Sequence, residues 1–323
     1  MKIFIKFLAL IILLRASTLA AAEPQAHVGV LVPELGRAQS QALKGLGEEL
    51  KRLGYQERKN LITEIRNAKG DRGALQPAAA DLVARKVAAI FTTGTRATLA
   101  ASGATGEIPI VFVHPGDPMA IGIVKSTAES PKNLTGVAAF AVQTTEKRLM
   151  LLKEIIPELK QIHVFFDSNN SYSRNNFALA EAAAKKLGLG VSEHGVKSTE
   201  ELKNTFTGLR GEAGAAIFHV ADDLVESESE FIFDTARRKK LPTMFNEESW
   251  AVSGAMAAYG PNYLDMGRRA AGLIDRILKG QKPASLPIER ASKFDLTLNY
   301  RTANFIGVRL SQDMLKKADK VIR

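Results

Sequence analysis

The 323-residue chain contains no cysteine. That absence excludes disulfide scaffolds, thiolate zinc sites, iron–sulfur clusters, thiol nucleophiles and lipid attachment through an N-terminal cysteine. Histidine is nearly as sparse. His27, His114, His163, His194 and His219 lie far apart, with no HExxH or other metal-ligand spacing, so no metal site is expected. There is no GxSxG nucleophile elbow, no phosphate P-loop and no GxGxxG after the first strand-like run. Gly45-Leu46-Gly47 falls in a helix and Gly188-Leu189-Gly190 in a turn, the wrong contexts for phosphate. No cofactor is expected. Hydrophobic residues at 46% and charged residues at 24% match an ordinary soluble chain, which excludes wholesale disorder and a polytopic membrane protein.

What is present begins with an export pattern. Lys2 and Lys6 precede an unbroken apolar run over residues 7–14, and small residues follow to Ala20-Ala21-Ala22. This is the order of a secretory signal peptide, residues 1–22, with cleavage after Ala22. The run is too short for a spanning helix, which needs about 20 residues. The formal net charge is +10, and loss of Lys2, Lys6 and Arg15 leaves 10 − 3 = +7. The basic residues are scattered. The densest run, Arg237-Arg238-Lys239-Lys240, ends a helical segment that starts near Asp222-Asp223, the arrangement the helix dipole favours. A solvated face therefore explains the charge, and no nucleic acid partner is expected.

The rest reads as repeated strand–helix units. Apolar strand-like runs fall at 27–32, 61–65, 87–91 and 108–113, separated by helical spacing at 39–53 and 74–85. After Phe140 the pattern restarts, with strands at 162–166, 190–194, 215–220 and 242–245 and helices at 144–156, 175–187, 199–209 and 224–240. A strand at 254–258, a helix at 263–279, a strand at 294–299 and a final helix at 311–322 complete the chain. Strands alternating with helices predict an α/β fold: two Rossmann-like lobes, each a parallel sheet flanked by helices, hinged around a central cleft.

Ligands in such sheets sit outside the carboxyl ends of the strands. Those ends carry Thr93, Gly94 and Thr95; His114, Gly116 and Asp117; Ser168, Asn169 and Ser171; Asp222 and Asp223; and Asn246. A hydroxyl-lined cleft without nucleophile or metal suits reversible capture. Thr93 and Thr95 offer hydroxyls and helix-start amides to a carboxylate, or Thr95 merely caps a helix. Asp117 receives an ammonium, or forms a Gly-Asp-Pro turn. Asp222-Asp223 is an acid pair, or a helix cap. Phe140, Tyr172, Trp250 and Tyr259 are candidate aromatic walls.

The segments Phe91-Thr92-Thr93-Gly94-Thr95, Pro109-Ile110-Val111-Phe112 through Gly116-Asp117-Pro118, Asn133-Leu134-Thr135-Gly136-Val137, Ala257-Ala258-Tyr259-Gly260 and Ile277-Leu278-Lys279-Gly280-Gln281-Lys282-Pro283-Ala284 carry a likeness. In that order they resemble the ABC-transporter substrate-binding family that includes tryptophan- and other aromatic-amino-acid-binding proteins, with the type I periplasmic binding-protein fold. The resemblance implies a first lobe of residues 23–140 plus 254–287 and a second of 141–253 plus 288–323. It places the pocket on Thr93 to Thr95, His114 to Asp117, Ser168 to Ser171, Asp222-Asp223 and Asn246. The loop Asp-Ser-Asn-Asn-Ser-Tyr-Ser after Phe166 and the pair Asp222-Asp223 stand where the family typically has an Asn-Pro start and an Asp-Asn pair. The implied function is a periplasmic, monomeric solute receptor that captures an amino acid or related polar molecule and delivers it to an inner-membrane permease. A ligand sensor for a signalling receptor, and an enzyme using Asp222, Asp223 or His114, are the alternatives.

Overall fold

The computed structural model describes residues 25–114, 116–119, 122–124 and 132–323. The expected signal segment lies outside them. The chain runs β1 (Ala26–Val32), α1 (Arg37–Arg52), β2 (Leu61–Asn67), α2 (Leu75–Ala84), β3 (Ala89–Thr93), α3 (Gly94–Ala104), β4 (Ile110–His114) and β5 (Leu134–Ala138). It continues through α4 (Thr145–Ile155), β6 (Gln161–Asp167), α5 (Ser171–Lys186), β7 (Gly190–Val196), α6 (Thr199–Gly208), β8 (Ala215–Phe218), α7 (Asp223–Ser227), α8 (Ser229–Arg238), β9 (Thr243–Phe245) and α9 (Glu248–Ser253). Last come β10 (Ala257–Pro261), α10 (Tyr263–Leu278), β11 (Glu289–Arg290), β12 (Phe294–Asn299), α11 (Tyr300–Ile306), α12 (Gln312–Lys317) and β13 (Lys320–Ile322).

Two sheets result. One has the order β11-β5-β4-β3-β1-β2 and is parallel throughout; the other has the order β13-β12-β10-β9-β8-β6-β7, with β12 antiparallel to β10. The β-branched runs Val28 to Val32 and Ile110 to Val113 are buried on both faces, as strands covered by helices on each side must be. On one face of the first sheet, Ala42, Leu46 and Leu50 of α1 pack with Met266, Ala270 and Ile274 of α10. On the other face lie Leu75, Ala79 and Leu82 of α2 and Ala97 and Ala101 of α3. The second sheet is covered by α4, α5, α11 and α12 on one side and by α6 to α9 on the other. The fold is therefore two α/β lobes.

Four expectations need correction. The strand expected near 254–258 forms at Ala257–Pro261 and pairs with β9 and β12, so it belongs to the second sheet rather than the first. The chain returns to the first lobe only at α10, and it leaves again after Glu289–Arg290, which pair with β5, not after residue 287. The single helix expected over 224–240 divides at Glu228, where Ser227 Oγ bonds back to the Leu224 carbonyl at 2.7 Å and competes with helix continuation. The final helix stops at Lys317. Asp319 then exchanges bonds with the Leu296 backbone, and the free edge of β12 captures Lys320–Ile322 as a strand.

Candidate functional site

A cleft of about 700 Å³ opens between the carboxyl ends of the two sheets, within the range of small-molecule sites. The first lobe contributes Pro33 and Glu34 after β1, Gly70 after β2, Gly94 to Arg96 after β3, and His114 and Gly116 at the end of β4. The second contributes Thr145 and Arg148 of α4, Asn170 to Ser173 less Ser171, Val220 to Asp223, Glu226, Asn246 and Glu247.

On the first-lobe side the start of α3 is an open anion cradle. Its N-cap residue, Thr93, makes no capping bond with its side chain, so the first-turn amides keep their donors free. Gly94 holds φ at +75°, a conformation only glycine adopts without strain, and Gly94, Thr95 and Arg96 line the cleft at this helix start. The Gly116 N–H donates to His114 Nδ1 at 2.8 Å. That bond fixes the imidazole proton on Nε2, which lies 2.7 Å from Thr95 Oγ1. Burial pushes the imidazole down to about 4, so it is neutral near pH 7. Thr95 thus accepts from His114 and keeps its own hydroxyl hydrogen for the cleft.

On the second-lobe side the walls are charged. Arg148 is 2% exposed; its Nη1 donates to the His219 carbonyl at 2.8 Å and its guanidinium lies 4.6 Å from the Phe218 ring centre. Its Nε has no partner, and among the described residues no carboxylate pairs with it. Burial lowers it to about 9, still charged at neutral pH. The same lobe brings to the cleft two carboxyl groups, Glu226 and Glu247, that pair with no lysine or arginine among the described residues. Glu226 has 30% of its side chain open to the cleft, yet burial, reinforced by Glu247, Asp223 and Asp222, pushes it up to about 8. Burial takes Glu247 to about 7, against the bond it accepts from the Tyr263 hydroxyl at 2.9 Å.

The lobes meet across this space. A Cβ on Gly116 would stand 3.6 Å from the Tyr172 hydroxyl of the opposite lobe. Nearer the crossings, Arg37 of α1 donates twice to Glu248 Oε1 of α9, at 3.0 and 2.7 Å.

Of the residues expected from sequence, Gly94, Thr95, His114, Gly116, Asp222, Asp223 and Asn246 line the cleft. Six do not. Thr93 lies behind the wall, 3% exposed, its hydroxyl without a partner. Asp117 accepts the Met119 N–H at 2.9 Å and so forms the turn. Phe140 packs into the first-lobe core beneath the Arg290 guanidinium, at φ +51° where the chain leaves the first sheet. Ser168 bonds to the Val196 carbonyl, and Asn169 and Ser171 are solvent-exposed, because Asn170 caps α5 and turns Tyr172 rather than Ser171 inward. Asp222 is a cap, accepting from Val225 N and Asp167 N at 2.9 and 2.7 Å. Of the candidate walls, Tyr172 faces the cleft, whereas Trp250 packs beside Phe233 and Phe245 and Tyr259 stacks on Phe294.

Arg148, Glu226 and Glu247 had gone unnoticed. The signal for Arg148 was present: it falls on the inward stripe of α4 with Thr145, Leu149, Leu152 and Ile155, where a charge is out of place unless something answers it.

A family model described as ABC transporter substrate binding protein matches residues 27–322. The chain is 27% identical over 276 residues to the tyrosine-binding protein of Clostridioides difficile (strain R20291), covering 85% of this chain and 79% of that one. A solved structure of a conserved domain protein from Vibrio cholerae aligns with a TM-score of 0.78 at 27% identity, covering 92% of this chain and 99% of that one. An ABC domain in complex with L-Trp from Streptococcus pneumoniae aligns at 0.76 and 26% identity, covering 92% and 100%.

Proposed function

The chain belongs to the ABC transporter substrate-binding protein family, and on that premise we propose that it captures one α-amino acid, or a close relative, by closing its lobes and presents the closed form to a permease. One observation carries the ligand class. A helix start without a side-chain cap, with the Thr95 hydroxyl hydrogen left for the cleft, stands on the first lobe, and on the second stand Arg148, paired with no carboxylate among the described residues, and Glu226 and Glu247, paired there with no lysine or arginine. A carboxylate held between α3 and Arg148 bridges the lobes, while an ammonium meets the acids. The relatives' tyrosine and L-Trp are zwitterions of this kind.

Closure follows from differential affinity. Only contacts made from both lobes at once favour the closed state, and a ligand gripped by one lobe shifts nothing. We take the first lobe as residues 25–140 with 262–291 and the second as 141–261 with 292–323. Substrate-binding proteins of this family work outside the cytoplasm; residues 1–22 are proposed as the export signal, cleaved after Ala22, and the mature receptor as a monomer that releases its ligand unaltered.

The test is a thermal-shift and calorimetry panel of residues 23–323 against amino acids, sugars and nucleosides. An amino acid at about 100 times its dissociation constant stabilises by roughly 2.7 kcal/mol. It should be recovered intact by mass spectrometry, whereas sugars and nucleosides leave the melting point alone. No response to any amino acid, with none released on denaturation, overturns the reading. Thr95→Val removes one bond to a charged group, about 1.5–3 kcal/mol, and is expected to weaken binding roughly 10- to 100-fold by calorimetry.

A further inference from the structure

We propose that the side chain of this amino acid ends in a cation, an amine or a guanidine, held at Glu226 and Glu247. The inference rests on the amino-acid reading above and narrows it.

The cleft carries more acid than a neutral zwitterion uses. Five carboxylates, Glu34, Asp222, Asp223, Glu226 and Glu247, line it against two guanidiniums, Arg96 and Arg148. Asp222 has both oxygens engaged by backbone amides and holds the loop in place. Glu226 and Glu247 are different. Neither pairs with a lysine or arginine among the described residues; Glu226 has only the buried His219 imidazole at 3.5 Å, and Glu247 the Tyr263 hydroxyl. Asn246, next to Glu247 in the chain and 7% exposed, lines the same cleft, and among the described residues only the buried His219 imidazole stands beside its Oδ1.

Once ionised, Glu226 and Glu247 present acceptors alone to the cleft. A group that only donates satisfies them, and ammonium (three N–H) and guanidinium (five) are the side-chain groups of that kind. An aromatic or aliphatic side chain in the same place gives these carboxyls no ionic partner. No three carboxylate or imidazole groups among the described residues converge to hold a metal ion. Arg148 is not among the groups that act on Glu226 or Glu247; its Nη1 donates to the His219 carbonyl.

Titration gives the idea a second reading. Asp222 and Asp223 from its own segment and Glu247 from the loop after β9 act on Glu226, and all three raise it. Tyr172 of α5 and Tyr263 of α10 also face it, both raised by burial and neutral at pH 7, and His219 is kept neutral by burial and by Arg148. A cation arriving here lowers both glutamates and expels protons.

The experiment is calorimetry of residues 23–323 with L-lysine, L-ornithine, L-arginine, L-norleucine, L-tyrosine and L-tryptophan, in phosphate and in Tris. At least one basic ligand is expected to bind roughly 30-fold tighter than any neutral one, a difference of about 2 kcal/mol. Its binding should release protons, seen as a buffer-dependent heat, and its affinity should rise roughly tenfold between about pH 6 and about pH 8 as the glutamates ionise. Glu226→Gln should reduce the lysine-over-norleucine selectivity roughly tenfold or more. Glu247→Gln provides the same readout from the other carboxyl. Tighter binding of tyrosine, tryptophan or norleucine than of every basic ligand overturns this inference and leaves the receptor reading standing. Silence of all amino acids, with none co-purified, overturns both.

Discussion

Arg148→Met is expected to remove most of the ligand affinity while leaving the fold intact. The guanidinium is buried, charged at neutral pH and unpaired with any carboxylate among the described residues. Such a charge costs the free protein several kcal/mol of hydration, which the His219 carbonyl and the Phe218 ring offset only in part. Methionine keeps the length of the stem and its packing on Phe218 but removes that cost. Against it stands the lost bond to the His219 carbonyl, about 1–3 kcal/mol. The two roughly cancel, so the melting point should move by only a few degrees. Binding has no such compensation. Truncating one partner of a desolvated charge pair costs about 2–5 kcal/mol, which is roughly 30-fold to several thousand-fold in dissociation constant. Calorimetry and a thermal melt on one preparation decide it. A collapsed melting point with ligand affinity retained would make Arg148 a structural residue.

Gly45→Val is expected to cost the most stability of any single change considered. In α1, a Cβ on Gly45 would stand 2.0 Å from the Leu264 carbonyl oxygen of α10, and a Cβ on Gly267 of α10 would stand 2.0 Å from the Ala42 carbonyl oxygen. The two helices touch backbone to backbone at their crossing, and a side chain there can only be accommodated by parting them. Backbone atoms cannot rotate away as a flexible side chain does. Parting α1 from α10 also lifts Met266, Ala270 and Ile274 off the first sheet. Roughly 3–5 kcal/mol is expected from urea unfolding, at the severe end for one substitution. Gly47→Ala, two residues along the same helix with nothing within 4 Å, is the control. It should stabilise by about 0.5–1 kcal/mol through helix propensity alone. Equal losses at both positions would show that backbone entropy, not the helix crossing, governs this segment.

Gly45-Leu46-Gly47 shows where sequence reading stops. The spacing showed that these glycines are not a phosphate loop, but their use depends on which helix crosses α1, and that helix is two hundred-odd residues away in the chain. The strand ends were legible because a polar cluster after a β-branched run needs no tertiary knowledge: Thr95, His114, Asn246 and Asp222 all reach the cleft. Ser168, Asn169 and Ser171 misled because one asparagine, Asn170, set the phase of α5 and so decided which neighbour points inward. Glu226 and Glu247 resisted for the opposite reason. A glutamate among other polar residues reads as solvated, and only the approach of α7, the β9 loop and α10 encloses it. The split at Glu228 and the strand at Lys320–Ile322 belong to the same class, local patterns compatible with helix and decided by a neighbour.

The interlaced path of the chain bears on how the molecule acquires its shape. Residues 53–262 separate α1 from the helix that covers the same sheet face beside it. The first sheet is encoded early, yet it cannot bury that face until α10 has been made, and β11 joins its edge later still. Closing so long a loop is an entropic toll met before any contact rewards it, and high contact order slows folding. Neither half can ripen alone. A fragment ending at Phe140 leaves Ala42, Leu46 and Leu50 without their partners on α10 and should remain a collapsed, protease-sensitive chain under limited proteolysis, whereas the whole protein resists it.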